Sequence, residues 1–161
     1  MRVHHPHLLA LAVALALPVH LAAQGVGATV AARSALEWGA APAVFPPGAR
    51  MAVVRGDPGK SGIFAVRLEF PNGYRIPPHF HPTDEAVRVR EGIFLYGMGD
   101  TVDLKQAKRM TPGDTGTLPA RMHHWAVARG RTVVTVRAMG PFEMTYVNPA
   151  DDPRTMAKPK R

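Results

Sequence analysis

Cysteine is absent from this chain of 161 residues, which removes disulfide cross-links, thiolate metal ligands and thiol nucleophiles together. Stability then rests on core burial and on any bound metal, and such a metal must be held by nitrogen and oxygen, a donor set that suits Mn, Fe, Ni, Co, Cu or Zn. Aromatic residues are scarce at 7%. They do not interleave with basic residues as a base-stacking platform requires. The formal net charge of +8 is therefore read as a solvated basic surface rather than a nucleic-acid site, with Arg67, Arg75, Arg88, Arg90, Arg129, Arg131 and Arg137 scattered along strand-like runs. No Ser/His/Asp arrangement, phosphate-binding glycine loop, paired catalytic carboxylate or internal repeat is visible, and Gly97-Met98-Gly99-Asp100 reads as a turn. A nucleophilic hydrolase is accordingly not expected.

Long hydrophobic runs are missing too. The segment Leu8–Leu17 falls short of the ~20 residues a spanning helix needs. It follows a positively charged start and precedes Pro18 and Ala22-Ala23, the layout of a secretory signal peptide. Export to a periplasmic or secreted location is expected, with cleavage near Ala23 and no membrane span afterwards. The chain then divides into a leader over 1–23, an amino-terminal arm or edge strand over 24–48, one β-barrel over 49–150 and a disordered basic tail over 151–161. Leu36, Trp38 and Phe45 in the arm are candidates for a homodimer contact.

Beyond Met51, short runs of alternating apolar residues are separated by turn residues, the pattern of half-buried strands. Ile63–Phe70 places Phe64, Val66, Leu68 and Phe70 on one face. Ala86–Arg90 and Ile93–Tyr96 read as a hairpin around Gly92, His124–Ala128 and Thr132–Ala138 as two strands around Arg129-Gly130-Arg131, and Phe142–Val147 as a last strand. Asp103–Arg109 allows one short helical turn. The expected fold is all-β, an antiparallel double-sheet jelly-roll barrel with little helix.

Outside the leader the chain has four histidines in two pairs, His79 with His81 and His123 with His124. Strand residues two apart share a face, so His79 and His81 aim together while Phe80 packs the other way. Glu85 lies beyond the Pro82-Thr83 bend, where its carboxylate can return to the same point. Two imidazoles and a carboxylate are suitable ligands for one divalent transition metal ion. Of two adjacent histidines, only one can face inward.

Gly73, five residues, His79-Phe80-His81, three residues, Glu85, six residues and Gly92 match the first motif of the cupin superfamily at every defined position. Gly113, Pro119 and His124 fall in register with the second motif, which is only partly matched: Arg121 stands where an inner glycine is usual and Ala128 where asparagine is usual. The chain thus resembles a small single-domain cupin over roughly Met51 to Val147. The resemblance implies metal ligation by His79, His81, Glu85 and His124. His123 is then left on the rim or in a supporting hydrogen bond, and Arg121 in a loop whose backbone usually takes glycine. Phe80, Tyr96, Met98 and Trp125, with Met139, are candidate pocket walls; Arg121, Tyr74 and Arg75 are candidates for steering an anion. The implied function is an exported metal-dependent cupin acting on a small organic molecule by dioxygenase-type or metal-assisted isomerase or lyase chemistry. The alternative is a module that binds a ligand or metal without turnover.

Overall fold

The structure, a computed structural model, describes Met1 and residues 35–155. The leader, the arm before residue 35 and the tail beyond Thr155 lie outside the described residues. Nine strands follow in order: β1 Gly39–Ala40, β2 Arg50–Arg55, β3 Gly62–Phe70, β4 Arg75–Phe80, β5 Glu85–Met98, β6 Lys108–Met110, β7 Thr115–Leu118, β8 His124–Gly140 and β9 Thr145–Tyr146. Every pairing is antiparallel, and the fold is the expected jelly roll. The only helical element among the described residues is the 3-10 turn Pro149–Asp151.

Alternation decides the faces. In β3, Phe64, Val66, Leu68 and Phe70 are buried while Arg67 and Glu69 lie towards solvent, because successive side chains of a strand point to opposite sides. Their inward face packs with Val87, Val89, Val134 and Val136 into one core. Phe70 stacks on Tyr74 at 5.0 Å and on Phe94 at 6.4 Å.

Two expected turns are bends inside long strands. Residues 85–98 form one strand and 124–140 another, paired with each other along most of their length. Gly92 and Gly130 have φ of 75° and 72°, and the β5–β8 register shifts between Val89 and Glu91 and again between Glu91 and Ile93. A positive-φ glycine can bulge a ladder as readily as close a hairpin. A Cβ at Gly92 would lie 2.3 Å from the Arg131 carbonyl oxygen, so the strands touch there. The fully buried Thr132 hydroxyl donates to the carbonyls of Ile93 or Gly130, each 3.2 Å away. Beyond the bend β8 pairs with β3; before it β8 pairs with β4.

Other segments are more irregular than expected. Of Asp103–Arg109, the first residues form a turn in which the Asp103 carboxylate accepts from the Lys105 amide at 2.9 Å, local competition that disfavours a helix, and Lys108 and Arg109 belong to β6. Only Thr145–Tyr146 of the expected final strand is extended and paired. In the arm, Gly39–Ala40 adds an edge to β2 and Trp38 lies under the Arg50 guanidinium at 5.7 Å. Phe45 is buried in the chain's own core, so it is not available for the dimer contact considered above. The start of the basic tail is held: Arg154 donates to Asp152 at 2.6 Å and 2.9 Å.

Candidate metal centre

Strand pairing brings the two histidine motifs together. His79 in β4 stands directly opposite His124, the first residue of β8, and their rings are 4.3 Å apart. His81 lies one residue past β4, with its ring 5.0 Å from His79 and 5.3 Å from His124. Glu85 opens β5 opposite Leu118 and Ala138. All four side chains are buried. Two bonds tie the loop before β8 to the His81–Glu85 segment: the Arg121 amide donates to the His81 carbonyl at 2.8 Å, and the Ala120 amide to the Asp84 carboxylate at 2.7 Å. Asp84 is itself exposed, and through this bond it positions the loop that carries His124.

The imidazoles are oriented by backbone carbonyls. Nδ1 of His79 is 2.7 Å from the Pro77 oxygen, Nδ1 of His81 is 2.6 Å from the Glu143 oxygen, and Nδ1 of His124 is 2.9 Å from the Met122 oxygen. A carbonyl can only accept, so each Nδ1 carries the hydrogen and each neutral ring keeps its lone pair on Nε2. Nε2 of His81 and of His124 are buried with no hydrogen-bond partner among the described residues. Burying a polar atom unsatisfied is costly. The three histidines nevertheless offer one nitrogen each within 4.8 Å of one another. A Glu85 carboxylate oxygen lies 3.6 Å from His81 Nε2 and 3.7 Å from His124 Nε2, too long for hydrogen bonds. Neighbouring ligands around one ion, with bonds of about 2.1 Å, stand roughly 3.0–3.4 Å apart. Donor type, fixed tautomers and orphaned lone pairs therefore fit a metal ion.

The electrostatics agree. Burial, with His124 and His81 nearby, holds His79 well below the ordinary imidazole value; burial also lowers His81 and His124. Burial pushes Glu85 up to about 7, against the pull of His124. A divalent cation would offset the cost of the buried carboxylate. The cavity around the four side chains is about 20 Å³, room for roughly one water, and the rest of its lining is apolar, including Phe45, Phe70, Phe94 and Met144.

The other sequence candidates lie elsewhere. The His123 ring bonds Asp100 at 2.5 Å and stacks on Phe80 at 5.3 Å, and neither ring lines the cavity. Trp125 has the opposite parity to His124 and joins a separate cluster with Leu95 and Val127. Tyr96 packs at the edge of the main core beneath Lys108, and Met98 and Met139 are exposed. Tyr74 is buried and donates its hydroxyl to the Pro46 carbonyl at 2.5 Å. Arg121 is exposed and is the one described non-glycine residue with positive φ, 61°: the loop keeps the glycine geometry although the side chain has changed. Phe45 and Met144, which line the cavity, and Phe142, whose ring is 5.1 Å from that of His81, were not singled out as lining residues: Phe45 comes from the arm, and the other two precede the only paired part of the expected last strand, Thr145–Tyr146.

A β-sandwich closing over a buried cluster of carbonyl-oriented histidines defines a jelly-roll protein with a candidate metal centre. The family model described as Cupin matches residues 47–141, more than half of the chain, and the chain belongs to that family. A curated relative, germin-like protein subfamily 1 member 3 of Arabidopsis thaliana, is 29% identical over 111 residues, covering 60% of this chain and 49% of the relative. The chain thus spans about half the length of that protein. Two solved structures share the fold. The polyketide cyclase RemF from Streptomyces resistomycificus is 21% identical, with a TM-score of 0.54, covering 65% of this chain and 75% of that one. An RmlC-like cupin from Shewanella frigidimarina NCIMB 400 is 19% identical, with a TM-score of 0.51, covering 65% and 83%.

Proposed function

We propose that His79, His81, Glu85 and His124 hold one divalent transition metal ion and that the protein acts on a small organic molecule there. The observation that carries this is the pair of buried, unpartnered Nε2 atoms on His81 and His124, each fixed as a lone-pair donor by its Nδ1 bond. Such a metal supplies Lewis acidity towards a bound oxygen atom or, if redox-active, a route to dioxygen. The chain's own residues hold the donors in one tautomer, keep bulk water out through the apolar lining, and provide in Glu85 a carboxyl near 7 that can carry or release a proton when no metal is bound. Three imidazoles and one carboxylate leave two positions of an octahedron for ligands from outside the chain.

A second reading is a module that binds without turnover. It is favoured by the lining of the cavity, which has no acid or base beyond the four proposed ligands. The two readings part on metal-dependent oxygen uptake or substrate conversion with small diols, diketones and phenolic acids, none of which a pure binder gives. Metal binding itself is tested by elemental analysis: about one ion per chain is expected, lost in His81→Ala, Glu85→Ala and His124→Ala and kept in His123→Ala. Protein without metal under native loading, or loss through His123 in place of His124, would overturn the assignment. Export belongs to the same proposal. Amino-terminal sequencing of the protein made in its own host is expected to begin near Gln24, and a start at Met1 would refute cleavage.

A further inference from the structure

A second cavity of about 190 Å³ lies beside the metal cavity. It is bounded by the inward face of β3, by Met51 of β2, by the arm residues Pro42 and Val44, and by Phe142. Three side chains, Phe45, Leu68 and Val136, line both cavities. Phe142 stacks on Phe45 at 5.9 Å and also places its ring 5.1 Å from that of His81. The two spaces are therefore separated by one layer of side chains, Phe45, Leu68 and Val136, with Phe142 between the second cavity and His81. The arm that carries Phe45 is fastened on both sides of it: Tyr146 donates to the Val44 carbonyl at 2.7 Å and Tyr74 to the Pro46 carbonyl at 2.5 Å.

No charged or polar side chain lines this second cavity, so it offers no side-chain partner to compensate the desolvation of an ion or of several sugar hydroxyls. Its size compares with the ~150 Å³ apolar cavity that takes up benzene. We propose that it receives an uncharged, phenyl-sized hydrocarbon group of the molecule acted on at the metal centre, whose oxygen-bearing head points past Phe45 and Phe142 to the histidines. This rests on the metal-centre reading given above. The substrate class is then a small arylalkyl or cycloalkyl acid or carbonyl compound, in preference to a sugar, a diacid or a phosphate ester.

The test uses the full chain with three probes, toluene, acetate and phenylacetate, and the variant Met51→Trp, which fills the second cavity from its rim without touching a proposed ligand. Toluene is expected to bind the metal-free and the metal-loaded protein alike, by calorimetry or by ligand-detected NMR, and Met51→Trp is expected to abolish it with metal stoichiometry unchanged. Phenylacetate is expected to bind the loaded protein at least tenfold more tightly than acetate, and the variant to bring that ratio close to one. Near-ultraviolet circular dichroism and the unchanged metal content report that the variant folds. Stoichiometric metal without toluene binding, or equal affinity for acetate and phenylacetate, overturns the inference and leaves the metal centre standing. Toluene binding by a chain that takes up no metal overturns both the metal-centre reading and the coupling of the two cavities.

Discussion

Glu85 gives the most quantitative prediction. In the metal-free protein its carboxyl is raised by burial from an ordinary value of 4.5 to about 7. The folded state thus binds this proton more tightly than the unfolded state does. The associated stability is fully present below pH 4.5 and is lost as pH rises to about 7; at 1.36 kcal/mol per tenfold change the loss is about 3 kcal/mol. The histidines run the other way. His79, His81 and His124 are lowered below 6.5, so their contribution is present above pH 6.5 and is lost as pH falls through their folded values. Comparing the protein with Glu85→Gln isolates the carboxyl, because glutamine keeps the volume and does not titrate.

The assay is urea denaturation with a chelator present, at intervals from pH 4.5 to 7.5, with the two proteins compared by their free energies of unfolding. The stability of the unaltered protein relative to Glu85→Gln is expected to fall by about 3 kcal/mol between pH 4.5 and 7. Saturating metal is expected to suppress that fall, since a cation beside the carboxylate favours its charged form. A difference that stays flat with pH in the chelator would refute the buried-carboxyl argument. A fall that persists unchanged with metal would refute ligation by Glu85.

Three further outcomes follow from the same contacts. Gly92→Ala puts a Cβ 2.3 Å from the Arg131 carbonyl oxygen at φ 75° and is expected to cost about 3 kcal/mol, read as a lower thermal midpoint. Tyr146→Phe removes the donor to the Val44 carbonyl and is expected to cost about 1 kcal/mol in urea unfolding, with metal content unaffected. Asp84→Ala frees the Ala120 amide and loosens the loop that carries His124, so metal affinity in a chelator competition is expected to fall by about tenfold or more while the far-ultraviolet spectrum stays unchanged.

The legible part of this molecule is the part governed by strand parity. The alternation in Ile63–Phe70 and the two-residue spacing of His79 and His81 need only the period of a β-strand to be read correctly. The same parity, applied consistently, separates Phe80 from its flanking histidines and Trp125 from His124, and the structure places both aromatic rings away from the cavity. What parity cannot supply is whether a glycine closes a turn or bulges a continuing strand. Gly92 and Gly130 have the positive φ of a turn residue, and only the pairing of β5 with β8, closest where Gly92 meets Arg131 and Thr132, makes each strand run on.

The orientation of the imidazoles divides in the same manner. His79 and His124 each donate to the carbonyl two residues earlier, Pro77 and Met122, a local geometry. His81 depends on the carbonyl of Glu143, 62 residues away, and a backbone acceptor leaves no trace in the choice of side chain. The cavity walls contributed by Phe45, Phe142 and Met144 are similarly hidden, because the course of the arm and of the segment before Thr145 is set by long-range bonds such as that from Tyr146 to Val44, which the alternation of a single strand does not report. The donor types of the cluster are therefore a local property of this chain, whereas the size and polarity of the adjoining cavities are tertiary properties. That division is why His79, His81 and Glu85 could be grouped from strand spacing and His124 added through the motif resemblance, while the apolar space beside them arises only where the arm meets the barrel.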